Sequence, residues 1–366
     1  MILVNDPGSW DHIYPPLEHA EWNGWTPTDL IFPFFLFIAG VSMTLSFASR
    51  AARGATRKSL AWHIVRRSVL IFAIGLFLNG FPSFDLQTLR IMGVLQRIAL
   101  CYLVGGLLYL FALRRKPVAN AHSREHANLR LIAGVAVILL VGYWAVMTFV
   151  PVPGYGPGRL GQEDNLGAYI DRTLMGGHLW SESKTWDPEG LLSTFPAIAT
   201  LLIGILAGEW LRSEREGGRK ALGLLVAGVP LVLAGLLLNP YFPINKNLWT
   251  STFVLFTGGL AMLLLAACYW VVDLRGWEGW GKPSLVFGRN AILAYAVAAI
   301  VSEVSTDFEF RDSLDRSRTL HGWIYDKYFV PHASPENASL AFAVFFVFVV
   351  FVLLWPLYKK KMFIRI

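Results

Sequence analysis

One segment near the start of the chain is dense in side chains that can do chemistry. His19 lies between Glu18 and Glu21, and Trp22 and Asn23 follow at once. A neutral imidazole accepts a proton near pH 7, so His19 is suited to act as a general base. Two simpler explanations stay open, because tryptophans beside a membrane commonly form an interfacial belt and an isolated histidine commonly has no catalytic role.

Two further groups of polar side chains stand directly before long apolar runs. Asp187 precedes Pro188, a pair that is typical of a helix start and gives Asp187 a structural role as a cap. Asn245, Lys246 and Asn247 precede a second run. Lys246 is suited either to bind an anion or to extend its ammonium group to the membrane surface. Spacing alone does not decide between these roles.

Several polar and charged residues fall inside the apolar runs themselves. Burying a charged group in a bilayer costs at least about 2.5–3.5 kcal/mol, so such a group normally faces a bundle interior or a wet cavity. Arg97 and Arg289 are equally suited to reach the membrane surface or to pair with a neighbouring helix. The candidate pocket residues are Asp29, Gln96, Arg97, Glu209, Arg289 and Asn290.

The composition indicates which class of protein holds these residues. Of 366 residues, 55% are hydrophobic and 16% are charged, which excludes an ordinary soluble domain, a collagen, a coiled coil and a disordered chain. The two cysteines lie within apolar runs and indicate neither a disulfide framework nor a cysteine metal site. Apolar runs of about 20 residues can cross a bilayer as helices. Nine spans are predicted, at 27–49, 60–79, 91–113, 129–150, 190–211, 219–238, 250–272, 284–304 and 338–358.

The distribution of positive charge orients these spans. Arginine and lysine crowd every alternate connection, beginning with the one around Arg66 and Arg67, and they also crowd the C-terminus. By the positive-inside rule, those connections and the C-terminus are cytoplasmic, which explains the net charge of +7 without a nucleic-acid partner. The polar groups around His19, Asp187 and Lys246 then face outward.

Parity also makes a prediction about the first residues. Nine spans that end in the cytoplasm require residue 1 to lie outside, although residues 1–4 contain neither a signal peptide nor a whole span. We therefore expect residues 1–4 to be the tail of a truncated first span. An N-terminus that reaches the outer side without such a span is the alternative.

No internal repeat is evident in the sequence. The absence of a visible repeat disfavours a transporter.

Seven motifs, in order along almost the whole chain, resemble those of the heparan-alpha-glucosaminide N-acetyltransferase family, which includes bacterial transmembrane acyltransferases. The pattern departs in two places, because the first span is missing and Arg289 stands where relatives often carry a smaller or apolar residue. The gap between Asn5 and His19 is also longer than in the animal enzyme. The motifs lie at 3–5, 19–24, 29–35, 90–99, 187–192, 243–250 and 288–292.

The resemblance implies an all-α polytopic membrane helix bundle that forms a single domain over residues 1–366. It also implies transfer of an acetyl group from cytoplasmic acetyl-CoA, a co-substrate, to the amine of a glucosamine-type sugar on the outer side. The catalytic histidine of the family falls on His19, and an active-site asparagine falls on Asn5. No metal is expected.

The chemistry of these residues suits that activity. His19 can take the proton of the attacking amine or, alternatively, carry the acetyl group itself. Asn5 can donate a hydrogen bond to the developing oxyanion. The residues expected to bind the acceptor are Trp22, Asn23, Asp187, Asn245, Lys246 and Asn247. Those expected to bind CoA are Arg66, Arg67, Arg97, Arg289 and Asn290.

Two other functions stay open at this point. One is an O-acyltransferase acting on another cell-envelope glycan, and the other is a sugar transporter. The expected location is the bacterial cytoplasmic (inner) membrane, where the chain crosses several times. The expected partners are the lipid bilayer and an amino-sugar or glycan acceptor, with a second copy in a homodimer also considered and no nucleic acid.

Overall fold

The computed structural model describes residues 1–115, 125–311 and 317–362, and most of its regular structure is helical. Two short antiparallel hairpins pair β1 (Leu113–Arg115) with β2 (Glu125–Ala127) and β3 (Glu309–Arg311) with β4 (Ser317–Thr319). In the described residues the α-helices are α1 Ile2–Asn5, α2 Ile31–Ala52, α3 Arg57–Gly80, α4 Val94–Ala112, α5 Leu129–Phe149, α6 Leu166–Met175, α7 Thr194–Leu211, α8 Gly217–Leu238, α9 Ser251–Cys268, α10 Lys282–Arg289, α11 Ala291–Asp307, α12 Leu320–Tyr328 and α13 Pro335–Lys359. Shorter turns of 3-10 helix lie at Pro15–Leu17, Pro27–Leu30, Gly279–Gly281 and Val330–His332, and a π-helical turn, Tyr269–Leu274, continues α9.

Eight helices of the described residues are long and apolar enough to cross a membrane. They confirm eight of the nine predicted spans and the prediction of an all-α polytopic bundle. The chain is a multi-pass membrane protein. The eight spans are Pro27–Ala52, Arg57–Gly80, Val94–Ala112, Leu129–Phe149, Thr194–Leu211, Gly217–Leu238, Ser251–Leu274 and Pro335–Lys359.

The prediction of one continuous helix at 284–304 is wrong. The chain bends by 85° between α10 and α11, and the break falls at Asn290. The backbone of Asn290 is not helical, with φ −133° and ψ 45°. Its buried side-chain amide donates a hydrogen bond to the carbonyl oxygen of Met362 at 3.3 Å. This bond joins the break to the residues that follow α13.

The predicted helix start at Asp187 is also wrong, because α7 begins only at Thr194. The carboxylate of Asp187 accepts hydrogen bonds from Arg90, a residue 97 positions away, and from the backbone N–H of Glu189. Residues 188–193 form turns instead of the first turn of a helix. A long-range ion pair has therefore replaced the local cap that the sequence suggests.

Small residues bring α2 and α7 into close contact at the centre of the bundle. A Cβ atom at Gly40 would collide with the carbonyl oxygen of Leu201, and one at Gly204 would collide with that of Phe37. Helix pairs in membranes commonly approach through such residues, because packing is the main force between them. The contact fixes the position of α2 against α7.

Candidate active site

The N-terminal end of the α2 span is built by the residues around Thr26. Thr26 has an extended backbone and Pro27 opens the helical turn, as the sequence predicts. Thr26 and Asp29 form a capping box, in which each side chain accepts the backbone N–H of the other residue. This arrangement fixes the carboxylate of Asp29 in a buried position at the start of the span.

The two carboxylate oxygens of Asp29 have separate partners. Oδ2 accepts the backbone N–H of Thr26 at 3.0 Å and that of Ala20 at 3.1 Å. Oδ1 lies 2.6 Å from Nδ1 of His19. One oxygen therefore anchors the polypeptide, while the other orients the imidazole.

His19 is held in an orientation that suits a proton acceptor. Its side chain is 45% exposed, whereas that of Asp29 is 1% exposed. A carboxylate only accepts hydrogen bonds, so the hydrogen-bond geometry assigns a proton to Nδ1 of His19 and leaves the lone pair on Nε2. An aspartate that fixes the histidine tautomer in this way prepares a general base. The pair can remove a proton from a group that docks at Nε2.

Lys246 is the third member of this group. Its Nζ lies 3.0 Å from Nδ1 and 3.3 Å from Nε2 of His19, and 3.4 Å from Oδ1 of Asp29. Burial lowers the pKa of Lys246, and the carboxylate of Asp29 acts in the opposite direction. A larger fraction of this amine is therefore neutral than in an exposed lysine.

Amide and backbone contacts hold the turn that carries Lys246 against the histidine segment. Nδ2 of the buried Asn245 donates to Oδ1 of Asn23 at 3.2 Å. The backbone N–H of Gly24 donates to the carbonyl oxygen of Ile244 at 2.7 Å. Two segments far apart in the sequence are thus joined immediately before the lysine.

A second charged group lies on the segment that precedes α7. Nε and Nη2 of Arg90 donate to Asp187 at 2.8 and 2.7 Å, and Nη2 also donates to Glu189 at 2.6 Å. Burial raises the pKa of Asp187 even though Arg90 favours its ionised form. For Arg90, burial alone would lower the pKa, but the carboxylates of Glu189 and Asp187 outweigh it and raise the pKa. This ion-paired group connects the segment before α4 to the one before α7.

Arg97 is fully buried in the first turn of α4. Its guanidinium lies over the ring of Trp249, 5.0 Å from the centroid. Nη2 donates to the hydroxyl of Ser193 and to the carbonyl oxygen of Gly190. Within the part of the chain that the structure describes, Nε and Nη1 have no hydrogen-bond partner. The described residues therefore supply acceptors for only some of the hydrogen-bond donors of Arg97.

Three tryptophans form a row beside these groups. The ring centroids of Trp22 and Trp186 are 5.2 Å apart, and those of Trp186 and Trp180 are 5.6 Å apart, both in edge-to-face geometry. Asn247 and Asp187 line a small pocket next to Trp186. Aromatic and amide side chains in this arrangement can form one wall of a sugar site.

A polar cavity of about 520 Å³ lies towards the other end of α2. Ser42, Ser46 and Ser49 line it from α2, and their spacing of four and three residues puts them on one face of the helix. Asn290, at the break between α10 and α11, lines the cavity too. Its basic lining residues are Arg50, Arg53, His63, Arg67 and Arg289.

A second, largely apolar cavity of about 490 Å³ adjoins the first and reaches Ile31, two residues after Asp29. At a rise of about 1.5 Å per residue, Ile31 and Arg50 are about 29 Å apart along α2, close to the thickness of a bilayer core. The two cavities together follow α2 from Arg50, at its basic end, to Ile31, at the histidine end, which is the end next to Asp29 and His19. His19 and Asp29 are not among the residues that line either cavity. The residues that line both are Phe35, Ile98, Gly288, Ala291 and Ile292.

The structure brings together most of the residues that the sequence predicts to bind an acceptor. Asn23 and Asn245 are joined by a hydrogen bond, and Lys246 contacts His19. The others belong to the neighbouring wall. They are Trp22, Asp187 and Asn247. Their roles as acceptor ligands stay predictions.

The predicted CoA ligands and Asn5 do not all lie at one place in the structure. Arg67, Arg289 and Asn290 line the polar cavity. Arg66 is exposed and does not line it, and Arg97 lies far along α4 from the basic end, beside the second charged group. Asn5 is exposed at the end of α1, and no hydrogen bond between described residues joins it to His19. The role of each of these residues stays a prediction.

The sequence predicts Asp29 as a pocket residue but not its pairing with His19, because the spacing of the two residues does not indicate that their side chains meet. Other residues at the site were not predicted from the sequence. From the sequence, Arg50 and Arg53 were interpreted only as positive charges that mark a cytoplasmic connection. The helical spacing of Ser42 and Ser46 was a usable signal, since polar residues on one face of a span indicate a cavity.

Two comparisons bear on this site. Residues 11–122 match the family model described as heparan-alpha-glucosaminide N-acetyltransferase, catalytic. The human protein named heparan-alpha-glucosaminide N-acetyltransferase is 32% identical over 339 residues, which cover 81% of this chain and 50% of the human protein. The resemblance to this family is confirmed. The mouse protein of the same name is 33% identical over 364 residues, which cover 88% of this chain and 54% of the mouse protein.

The chain therefore spans about half the length of the curated heparan-alpha-glucosaminide N-acetyltransferases that it matches. The family model covers His19, Asp29 and the arginines at the end of α2, whereas Asp187 and Lys246 lie beyond it. In residues 1–115, 125–311 and 317–362, no group of three histidine, cysteine or acidic side chains is placed to hold a metal ion. The expectation of a site without metal stays a prediction.

Proposed function

We propose that this chain transfers an acetyl group from cytoplasmic acetyl-CoA to the amine of a glucosamine-type sugar on the outer side of the membrane. One observation carries the proposal. The His19–Asp29 pair and a basic polar cavity lie near opposite ends of one spanning helix, and adjoining cavities follow that helix between them. The names of the human and mouse relatives supply the class of reaction.

The basic end of the cavity suits the donor. Arginine guanidinium groups form strong, charge-assisted hydrogen bonds with phosphate, and Arg50, Arg53 and Arg289 line this end. The serine face of α2 offers hydroxyl groups to the amide-containing arm of CoA. The apolar cavity beyond it, which reaches Ile31, suits the acetyl thioester. CoA then stays on the cytoplasmic side while its acetyl group approaches Asp29 and His19.

The histidine end suits the transfer step. Nε2 of His19 removes a proton from the sugar amine as the nitrogen attacks the thioester carbonyl carbon. The new C–N bond forms, the C–S bond breaks, and the CoA thiolate takes up the proton. Asp29 stabilises the imidazolium that forms in between, because its Oδ1 accepts the Nδ1 proton of His19. Transfer through an acetyl-His19 intermediate is the alternative route.

The orientation that the positive-inside rule predicts for the helices accounts for the expected location and partners. The basic rim faces the cytoplasm together with the C-terminus, and the acceptor site faces the periplasm of a bacterial cytoplasmic membrane. The residues proposed to contact the acceptor are Trp22, Asn23, Asp187, Asn245, Lys246 and Asn247. Asn5 is proposed as the oxyanion donor.

Acetyl transfer from radiolabelled acetyl-CoA to glucosamine, measured in membranes that contain the chain, tests the proposal. We expect labelled N-acetylglucosamine to accumulate in proportion to the amount of protein. Acetylation of a sugar with hydroxyl groups but no amine would instead favour an O-acyltransferase. Uptake of glucosamine into vesicles without consumption of acetyl-CoA would favour a transporter, and either result would contradict the proposal.

Removing the cavity arginines should weaken donor binding selectively. We expect Arg50→Gln combined with Arg53→Gln to raise the KM for acetyl-CoA about 10–100-fold, as expected for the loss of a charge-assisted hydrogen bond worth about 1.5–3 kcal/mol. The kcat and the KM for glucosamine should change little, because His19 lies at the other end of α2. Steady-state kinetics with each substrate varied in turn gives the three values.

Arg219→Gln is the matched control, because Arg219 is an exposed arginine at the start of α8 that does not line the cavity. Its KM for acetyl-CoA should stay within about twofold of the unsubstituted chain, the change that a surface charge commonly causes. Equal effects of the two substitutions would mean that charge near the membrane surface, and not contact with the phosphates, determines donor binding.

A further inference from the structure

The amine of Lys246 lies against the imidazole ring of His19. Its Nζ is 3.0 Å from Nδ1 and 3.3 Å from Nε2 of His19. A general base lies about 2.6–3.2 Å from the atom whose proton it takes, and this distance is often longer before the substrate binds. A primary amine that belongs to the protein therefore lies where the amine of the acceptor has to approach His19.

The surroundings hold this amine in place. Asn245, the residue before Lys246, is fully buried and tied to Asn23 through its side chain. The Lys246 side chain is only 20% exposed, so it has little freedom to turn into solvent. Oδ1 of Asp29, at 3.4 Å, attracts Nζ towards the histidine and not away from it. The amine is thus part of the site even when no sugar is bound.

Nucleophilic attack requires the neutral form of the amine. The surroundings of Lys246 affect how much of this form is present. Desolvation by burial lowers the pKa of Lys246, while Asp29 opposes the change. Nε2 of His19 can accept the proton that the amine loses during attack. Lys246 therefore meets three requirements of an acetyl acceptor, which are position, access to a base and a supply of the neutral form.

We propose that Lys246 is a self-acetylation site, which rests on the proposed acetyltransferase function. In the absence of a sugar, Nζ of Lys246 attacks the carbonyl carbon of the acetyl thioester. The new N–C bond forms, the C–S bond breaks, and His19 passes the proton of Nζ to the CoA thiolate. The products are N-acetyl-Lys246 and CoA thiol, so no further reactant is needed. If the acetyl group first resides on Nε2 of His19, the amine attacks it there.

Acetylation of Lys246 has a functional consequence. It removes the positive charge that faces Asp29 and adds an acetyl group beside His19, where the acceptor amine approaches. The acetylated site is therefore closed to sugar. Bound sugar protects Lys246, because both amines need the same space. The enzyme becomes inactive when acetyl-CoA is present and acceptor is lacking.

Mass spectrometry of the full chain in detergent micelles tests this inference. The protein is incubated with isotope-labelled acetyl-CoA and no sugar, then digested, and labelled acetyl is quantified at each lysine. We expect Lys246 to be labelled at least about tenfold faster than Lys184, since orientation at a reacting group gives large rate advantages. Lys184 is an exposed lysine of the segment before α7, and it reports uncatalysed acetylation.

Three comparisons make the result specific. Glucosamine added with the labelled acetyl-CoA should suppress labelling of Lys246 but not of Lys184, and this comparison needs no variant. His19→Ala should reduce the labelling of Lys246 to the rate of Lys184. Preincubation with acetyl-CoA alone should lower later transfer to glucosamine in the unsubstituted chain, and the loss should be proportional to the fraction of Lys246 that carries label.

Labelling of Lys246 no faster than of Lys184, or labelling that glucosamine does not suppress, would overturn the self-acetylation proposal. Transfer to glucosamine in the same preparation distinguishes the two proposals. Transfer without labelling of Lys246 would overturn only the self-acetylation, whereas the absence of both would overturn the proposed function as well.

Discussion

Replacing His19 with alanine should abolish transfer to glucosamine while the protein remains inserted in the membrane. A positioned proton acceptor contributes about 10²–10⁴-fold to a rate, and the loss is complete if histidine is the nucleophile. The side chain is 45% exposed, so its removal should disturb packing little. The measurement is kcat in membranes, normalised to the amount of inserted protein.

His12→Ala is the matched control for this substitution. His12 is an exposed histidine of the same segment and does not contact Asp29. Its kcat should be close to that of the unsubstituted chain. Normal turnover in His19→Ala would remove His19 from the mechanism. Rapid-quench detection of labelled acetyl on His19 before any sugar is added would favour the covalent route over direct transfer.

Replacing Asp29 with asparagine should lower kcat about 10²–10⁴-fold, the range expected when a general base is no longer prepared. An asparagine can still cap the helix with its carbonyl oxygen, but its amide then points towards Nδ1 of His19. The amide donates a hydrogen bond to Nδ1 and so favours the tautomer with a proton on Nε2. Nε2 can then no longer accept a proton from the sugar amine.

Thr26→Ala separates this effect from a loss of structure. The substitution removes one half of the capping box at the start of α2 but leaves the contact between Asp29 and His19. We expect a loss of stability of about 1 kcal/mol with nearly normal kcat. Steady-state kinetics and thermal unfolding of both variants give the comparison. Equal losses of kcat would mean that Asp29 acts only through the helix start.

Much of the fold could be predicted from the sequence, because a bilayer requires long apolar helices. The runs around α2 and α13, for example, needed no tertiary information to be identified. The start of α2 was predictable for a local reason, since Thr26 and Pro27 determine it within a few residues. The break at Asn290 was not predictable, because residues 284–304 form one apolar run and Met362, the partner of Asn290, is 72 positions away.

The site was predictable only in part. Polar residues before apolar runs indicated the segments of His19 and Lys246, and both residues lie at the site. The pairing of Asp187 with Arg90 depends on residues 97 positions apart, so the local pattern wrongly indicated a helix cap. The contact between His19 and Asp29 is similar, because the loop conformation that permits it is determined by backbone bonds to Ala20 and Thr26.

The sidedness of transfer tests the central claim most directly. Sealed inverted membrane vesicles, whose cytoplasmic face is outside, are loaded with glucosamine and given labelled acetyl-CoA in the outer solution. We predict labelled N-acetylglucosamine in the lumen, and none in vesicles that contain His19→Ala. Product that forms only when acetyl-CoA and glucosamine are on the same side of the membrane would contradict transfer along α2.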